Sequence, residues 1–295
     1  MTLNEYLESQ YSPTATKGYQ NLIRQYTAFT YGAEKANYQQ VINYIQHLRV
    51  IRNRTGSNLN PKTIRNHLFA VKIYYRYLVA TGARNDHPCQ HLYLKDAINR
   101  QVNLHNLYAA EELETFLETY KAGKKNKATQ LREKALITLL IDQGLTVLEI
   151  SQLDTQDIDL VKGTVDIKPN PKTNGRTLEL KPRQILLMQT YMKQTRRQLQ
   201  QKSEQPTDAL FLSHSGDRIH PHDINRLINY GREKEQQMKP LRIRQSLIAH
   251  LLKAGNDLRV VQVFAGHKRI SSTEAYQQSQ LEELKAVVDQ LHPLQ

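Results

Sequence analysis

The residues best placed to do chemistry lie in the last sixty of the chain's 295. Leu241-Arg242-Ile243-Arg244-Gln245-Ser246-Leu247-Ile248-Ala249-His250-Leu251-Leu252 is a largely apolar helical stretch. An arginine buried on such a helix is costly without an anion, which points Arg244 toward a phosphate partner. Gly266-His267 follows, with His267 23 residues after Arg244. Tyr276 stands 9 residues after His267. A second basic group surrounds a turn rich in Pro, Asn and Gly: Lys168, Lys172 and Arg176 in Lys168-Pro169-Asn170-Pro171-Lys172-Thr173-Asn174-Gly175-Arg176.

Other chemistries find no matching pattern. His220-Pro221-His222 beside Asp223 has no zinc or iron spacing, and its proline favours a turn, so no metal is expected. There is no GxGxxG, no Walker A loop and no serine-hydrolase elbow. The one cysteine, Cys89, excludes an intramolecular disulfide. The longest apolar run, Ala135–Ile141 with its one threonine, is far too short to cross a bilayer. The first residues carry no basic-then-apolar leader pattern, so a cytoplasmic protein is expected. The net charge of +13 is the informative bulk property. A basic chain without disulfides commonly has a polyanionic partner, above all nucleic acid. Residues 1–100 hold 13 lysines and arginines against 5 acids, a net +8.

The elements that must position these residues fall into two groups. The first hundred residues read as helices: Thr2–Ser9, one opened by Ser12-Pro13, Tyr38–Ile51, and a long one from Asn60-Pro61 through Ala80. That long helix carries Arg65, Lys72 and Arg76 away from its apolar side, a candidate DNA-binding row. From residue 108 the pattern is mixed. Helices are expected at Ala110–Tyr120, Leu131–Gln143, Lys181–Gln200, Asp223–Tyr230, Leu241–Ala254, Leu258–Ala265 and Leu281–Leu291. Short strands at Thr164–Ile167 and Thr177–Leu180 flank the basic turn, with a further extended piece at Leu210–Ser213. The reading is mainly α with a small β-sheet. It has a helical domain over 1–95, a linker over 96–107 and a second domain over 108–295.

The register of Arg244, His267 and Tyr276 resembles the C-terminal signature of tyrosine recombinases, the phage-integrase and Xer-type family. The helical first hundred residues resemble that family's SAM-like core-binding domain. The resemblance implies a site-specific DNA recombinase or integrase that cuts and rejoins double-stranded DNA through a 3′-phosphotyrosine, with no ATP, metal or other cofactor. It implies Tyr276 as nucleophile, Arg244 and His267 as phosphate ligands, and Lys172 as the hairpin lysine that protonates the leaving 5′-oxygen. Lys168 or Arg176 could hold that lysine's place instead, and both are candidate DNA contacts. The resemblance also implies a homotetramer or hetero-tetramer on DNA, with the 281–291 helix docking on a neighbouring protomer.

Two positions depart from the family pattern. Its Gly-Leu-Arg-x-x-Glu segment is here Gly144-Leu145-Thr146-Val147-Leu148-Glu149, so threonine replaces an arginine. Thr-x-x-Glu is a good capping box, so helix initiation survives while a phosphate ligand is lost. The histidine three residues before Arg244 is replaced by Leu241. Losing one preorganised donor costs about 10²–10³ in rate. The alternative reading is therefore a DNA-binding protein on a recombinase scaffold, its cleavage lost or dependent on a partner. Arg242 faces away from Arg244's side of a helix, so Lys168 and Arg176, on a mobile turn, are the better candidate substitutes.

Overall fold

The structure, a computed structural model, describes residues 1–53, 56–96, 102–120, 127–279 and 281. The chain divides into two units, Met1–Asn99 and Arg100–Gln295.

In the first unit, local capping sets the helix starts. Thr2 and Glu5 form a reciprocal capping box at α1 (Leu3–Gln10). Proline occupies the first position of α2 (Pro13–Phe29), although the Ser12 hydroxyl before it makes no capping bond. Asn37 and Gln40 box the start of α3 (Tyr38–Val50). The Asn60 side chain accepts from Lys62 N–H at α4 (Pro61–Ala80). The apolar faces of α2, α3 and α4 meet around the buried rings of Tyr26, Tyr44 and Tyr75. Each ring brings a hydroxyl that must be satisfied inside. Tyr75 donates to the Ala33 carbonyl at 2.9 Å and lies 2.6 Å from the Tyr26 hydroxyl. Tyr44 pairs with His67 Nδ1 at 2.8 Å.

The second unit is mostly helical around a small sheet. After α5 (Ala110–Thr119) comes α6 (Lys127–Asp142), whose Ala135, Leu136, Ile137, Leu139, Leu140 and Ile141 are all buried. A helical segment apolar on every side, as the second half of α6 is, belongs in the centre of a core, and α6 packs on α8 and α11. The short α7 (Val147–Gln152) leads to an antiparallel sheet of β1 (Ile158–Asp159), β2 (Thr164–Ile167) and β3 (Arg176–Glu179). β2 and β3 form a hairpin in which Val165 pairs with Leu178 and Ile167 with Arg176. Then follow α8 (Pro182–Thr190), a π-helical stretch over Tyr191–Arg196, and α9 (Arg197–Gln200). The unit continues with α10 (Pro221–Ile228), α11 (Pro240–Lys253), α12 (Leu258–Ala265) and α13 over 271–279.

Several details differ from the sequence reading. The helix expected over Lys181–Gln200 contains a π-helical stretch, which leaves no mark in residue periodicity. Leu210–Ser213 joins no named strand's sheet; isolated bridges tie Ala209, just before it, to Asp154 and Leu212, within it, to Arg218. β1 is two residues long, too short for alternation to reveal. Residues 102–107, read as the end of a linker, lie against the second unit. Val102, Leu104 and Leu107 pack beside Ile248, Leu252 and Val261, and Val102 N–H donates to Ser279 Oγ at 3.1 Å. Of the helix expected over Leu281–Leu291, only Leu281 is among the described residues. No helix among them is long and apolar enough to cross a membrane.

Candidate active site

The site is built around one buried carboxylate. Thr146, at the position of the missing arginine, is the N-cap of α7. Its backbone N–H and its hydroxyl donate to Glu149 Oε2 at 2.8 and 3.0 Å. The same hydroxyl accepts from the Glu149 N–H at 3.2 Å. The other oxygen, Oε1, accepts from the Thr173 hydroxyl at 2.8 Å and from Arg176 Nη1 at 2.7 Å. Burial alone would push the Glu149 carboxyl up. The hydrogen bond and charge of Arg176, with the Thr146 N–H and Arg244, overcome it and hold the group down at about 2.

Two guanidiniums share this carboxylate. Arg244, on α11, is 3.9 Å from Glu149 Oε2 and donates to the Gly144 carbonyl at 2.6 Å. Its Nη2 also donates to the Ala265 carbonyl. Arg176, at the start of β3, donates from Nε to the preceding carbonyl, that of Phe264, at 2.8 Å. Both carbonyls belong to the last turn of α12, where unpaired acceptors and the negative dipole end favour cations. Burial lowers the Arg244 pKa and Glu149 opposes that; the guanidinium keeps its charge.

Gly266 ends α12 in the left-handed region at φ 68°. Any Cβ there would lie 2.6 Å from Arg176 Nη1, so glycine is required both by the turn and by the arginine packed on it. His267 follows directly. Its Nδ1 lies 2.9 Å from the Thr273 hydroxyl, and its backbone N–H donates to the Gln262 carbonyl at 3.0 Å. Burial, reinforced by Arg244 and Arg176, depresses its pKa to about 4, so the ring is neutral at pH 7. Tyr276, on α13, is 5% exposed and packs with Ile248, Ala249, Val261 and Ala265. Burial raises its hydroxyl to about 12, with Arg244 and Gln245 opposing.

Arg244, His267 and Tyr276 are thus brought together, and the hairpin carries Arg176 to them. Lys172 is exposed on that hairpin. The turn is tied down rather than mobile. Asn170 Oδ1 accepts from the N–H groups of Lys172 and Thr173 at 2.8 and 2.9 Å. The Asn174 N–H donates to the Gly266 carbonyl at 2.9 Å, and Thr173 bridges to His267. Lys168 is half exposed and pairs with Asp154 at 2.6 Å and Asp157 at 3.2 Å. Arg242 stacks over the Tyr108 ring at 5.2 Å, and Leu241 is 67% exposed. Arg132 is buried against Glu133 and the Leu212 carbonyl.

The basic row of α4 is only partly free. Arg65 donates to the carbonyls of Leu94 and Asp96. Lys72 donates to the Gln90 carbonyl and lies over the Tyr93 ring. Arg76 is exposed beside Phe69. His220 caps α10 through its own Nδ1, and no cluster of three or more metal-ligating side chains exists among the described residues. Thr173 and Thr273 escaped the sequence reading. Each acts through a contact to Glu149 or His267 that no local pattern announces.

The phage integrase family matches residues 106–283. Tyrosine recombinase XerC of Pelotomaculum thermopropionicum is 28% identical over 297 residues, covering 97% of this chain and 94% of that protein. Its counterpart in Roseiflexus sp. is 30% identical over 218 residues, 72% of this chain and 67% of that one. The fold is similar to XerH site-specific recombinase bound to palindromic difH substrate in a post-cleavage complex. The TM-score is 0.65 at 20% identity, over 91% of this chain and 77% of that one. The chain belongs to the phage integrase family.

Proposed function

We propose that this protein is a site-specific DNA recombinase that cuts and rejoins double-stranded DNA through a 3′-phosphotyrosine. The observation that carries this reading is the convergence of Arg244, His267 and Tyr276 on the C-terminal end of α12, in the family's sequence register. The relatives named tyrosine recombinases support it, as does the likeness to a recombinase bound to its DNA substrate.

In this mechanism the Tyr276 oxygen attacks the scissile phosphorus. A P–O bond to tyrosine forms, the P–O5′ bond breaks, and the energy of the ester is conserved in the adduct. The phenol, raised to about 12, passes its proton to solvent water as it attacks. The leaving 5′-oxygen takes a proton, for which exposed Lys172 is the candidate donor. Arg244 and neutral His267 donate to the non-bridging oxygens where charge develops. Rejoining is the reverse, with a 5′-hydroxyl attacking the phosphotyrosine.

The test is trapping on a nicked suicide duplex, from which the 5′-hydroxyl strand departs. Wild type accumulates a covalent protein–DNA adduct. Tyr276→Phe accumulates none while its DNA affinity is kept. An adduct that persists in Tyr276→Phe removes Tyr276 from this role.

Assembly on DNA as a homotetramer or hetero-tetramer belongs to the same proposal. Deleting residues 281–295 should abolish concentration-dependent assembly on DNA if that segment docks on a neighbour. Unchanged assembly would assign the segment to its own domain.

A further inference from the structure

Glu149 is a single negative charge with two guanidiniums against it, and His267 beside them is neutral. The buried cluster therefore carries an excess positive charge. A buried unpaired charge is expensive, and an anion is what relieves it. The hydrogen bonds show where that anion fits. Arg176 is 2% exposed in its side chain. Its Nε is taken by Phe264 and its Nη1 by Glu149, but its Nη2 is buried and meets no acceptor. Arg65, Arg132 and Arg183 also carry a buried unpaired nitrogen, but in each it is the single-hydrogen Nε, while terminal nitrogens are bonded. Among the buried side-chain nitrogens of the described residues, only Arg176 leaves a two-hydrogen fork nitrogen unmet. That fork sits one carbonyl from Arg244's, across the same carboxylate, and against the backbone of Gly266, which precedes His267.

We propose that Arg176 is a catalytic residue, the second guanidinium on the scissile phosphate, acting from β3 where the family's pattern places an arginine at position 146. This rests on the recombinase reading above. With Thr146 present, Glu149 Oε2 is occupied by the capping box and Oε1 is left to orient Arg176. Two planar forks then approach one phosphoryl group from neighbouring carbonyls of α12, the geometry that suits dispersed phosphoryl charge.

The experiment measures single-turnover adduct formation on two nicked duplexes. One carries the ordinary diester. The other carries a methylphosphonate at the scissile position, where a neutral methyl replaces one anionic oxygen. The variant is Arg176→Gln, with Arg176→Met, also uncharged, making the same comparison if the glutamine variant melts early. On the diester, Arg176→Gln should lose about 10²–10³-fold in rate. On the methylphosphonate the loss should be at least tenfold smaller, because the charge that Arg176 offsets is gone. A ratio below tenfold overturns the proposal, since a merely structural arginine harms both substrates alike. If wild type does not react with either methylphosphonate diastereomer, Thr146→Arg in the Arg176→Gln background decides. Recovery of tenfold or more on the diester supports the assignment, and smaller recovery overturns it. Absence of any wild-type adduct on the diester would defeat the recombinase reading itself; a wild-type adduct with an unaffected Arg176 variant defeats this inference alone.

Discussion

The tyrosine cluster of the first unit and the Glu149 cluster of the second bury polar groups in opposite ways. The first buries neutral phenols and closes their bonds internally, Tyr75 onto Tyr26 and Ala33, Tyr44 onto His67. The second buries ions, two guanidiniums on Glu149, and leaves a donor unmet. A neutral network that satisfies itself stabilises and specifies a core and needs no partner. A charged one with excess cation costs stability until an anion arrives. The difference separates the polar groups that hold the fold from those proposed to meet phosphate.

The largest effect expected in stability comes from removing the shared carboxylate. Glu149→Ala leaves Arg176 and Arg244 buried without a counter-ion, and should cost about 3–5 kcal/mol. Calorimetry of the full chain would show the melting of the second unit falling while the first unit's holds. A shift of under about 1 kcal/mol would show that the cluster relaxes into water and would erase the contrast. Next, Tyr75→Phe strands the Tyr26 hydroxyl and the Ala33 carbonyl, at about 1–3 kcal/mol. Its melting shift should be confined to the first unit and leave adduct formation on nicked DNA intact.

Acid acts on both units, since burial lowers His67 and His87 in the first as it lowers His267 in the second. His267 has a folded pKa of about 4 against 6.5 when free. Between those values the unfolded chain takes up a proton that the folded chain refuses, so stability falls as pH drops from about 6.5 toward 4. Glu149, at about 2 against 4.5, extends the loss below pH 4.5. His267→Asn should flatten the upper part of that slope, measured as melting temperature against pH. An unchanged slope would mean that another group sets it. The smallest effect belongs to Arg76→Ala. Its stability should shift by less than about 0.5 kcal/mol, while the salt dependence of DNA binding weakens by about one phosphate contact. An unchanged salt slope would remove Arg76 from the DNA-binding row.

Much of the fold was legible because it is local. Capping boxes at Thr2 and Asn37, proline after Ser12 and Asn60, and apolar spacing along α4 and α11 are set within one or two helical turns. The Thr146–Glu149 box was legible for the same reason, and it formed as expected. Of the candidate site, the Arg244, His267 and Tyr276 register was readable because α11 and α12 are sequential and the spacing is short. Arg65 and Lys72 looked like a free basic row. Their carbonyl partners lie at residues 90–96, beyond the helix on which the row was read.

The sequence by itself determined the basic charge, the helix starts and the order of the candidate site residues, since each depends on neighbours in the chain. Tertiary structure alone decided what stands where Thr146 lacks a guanidinium. Glu149 and Arg176 are 27 residues apart, and Arg176 and Phe264 are 88 apart. No periodicity links them. Their meeting depends on the β2–β3 hairpin carrying its first β3 residue against the end of α12, and a carboxylate already capping α7 fixes which arginine stays buried there.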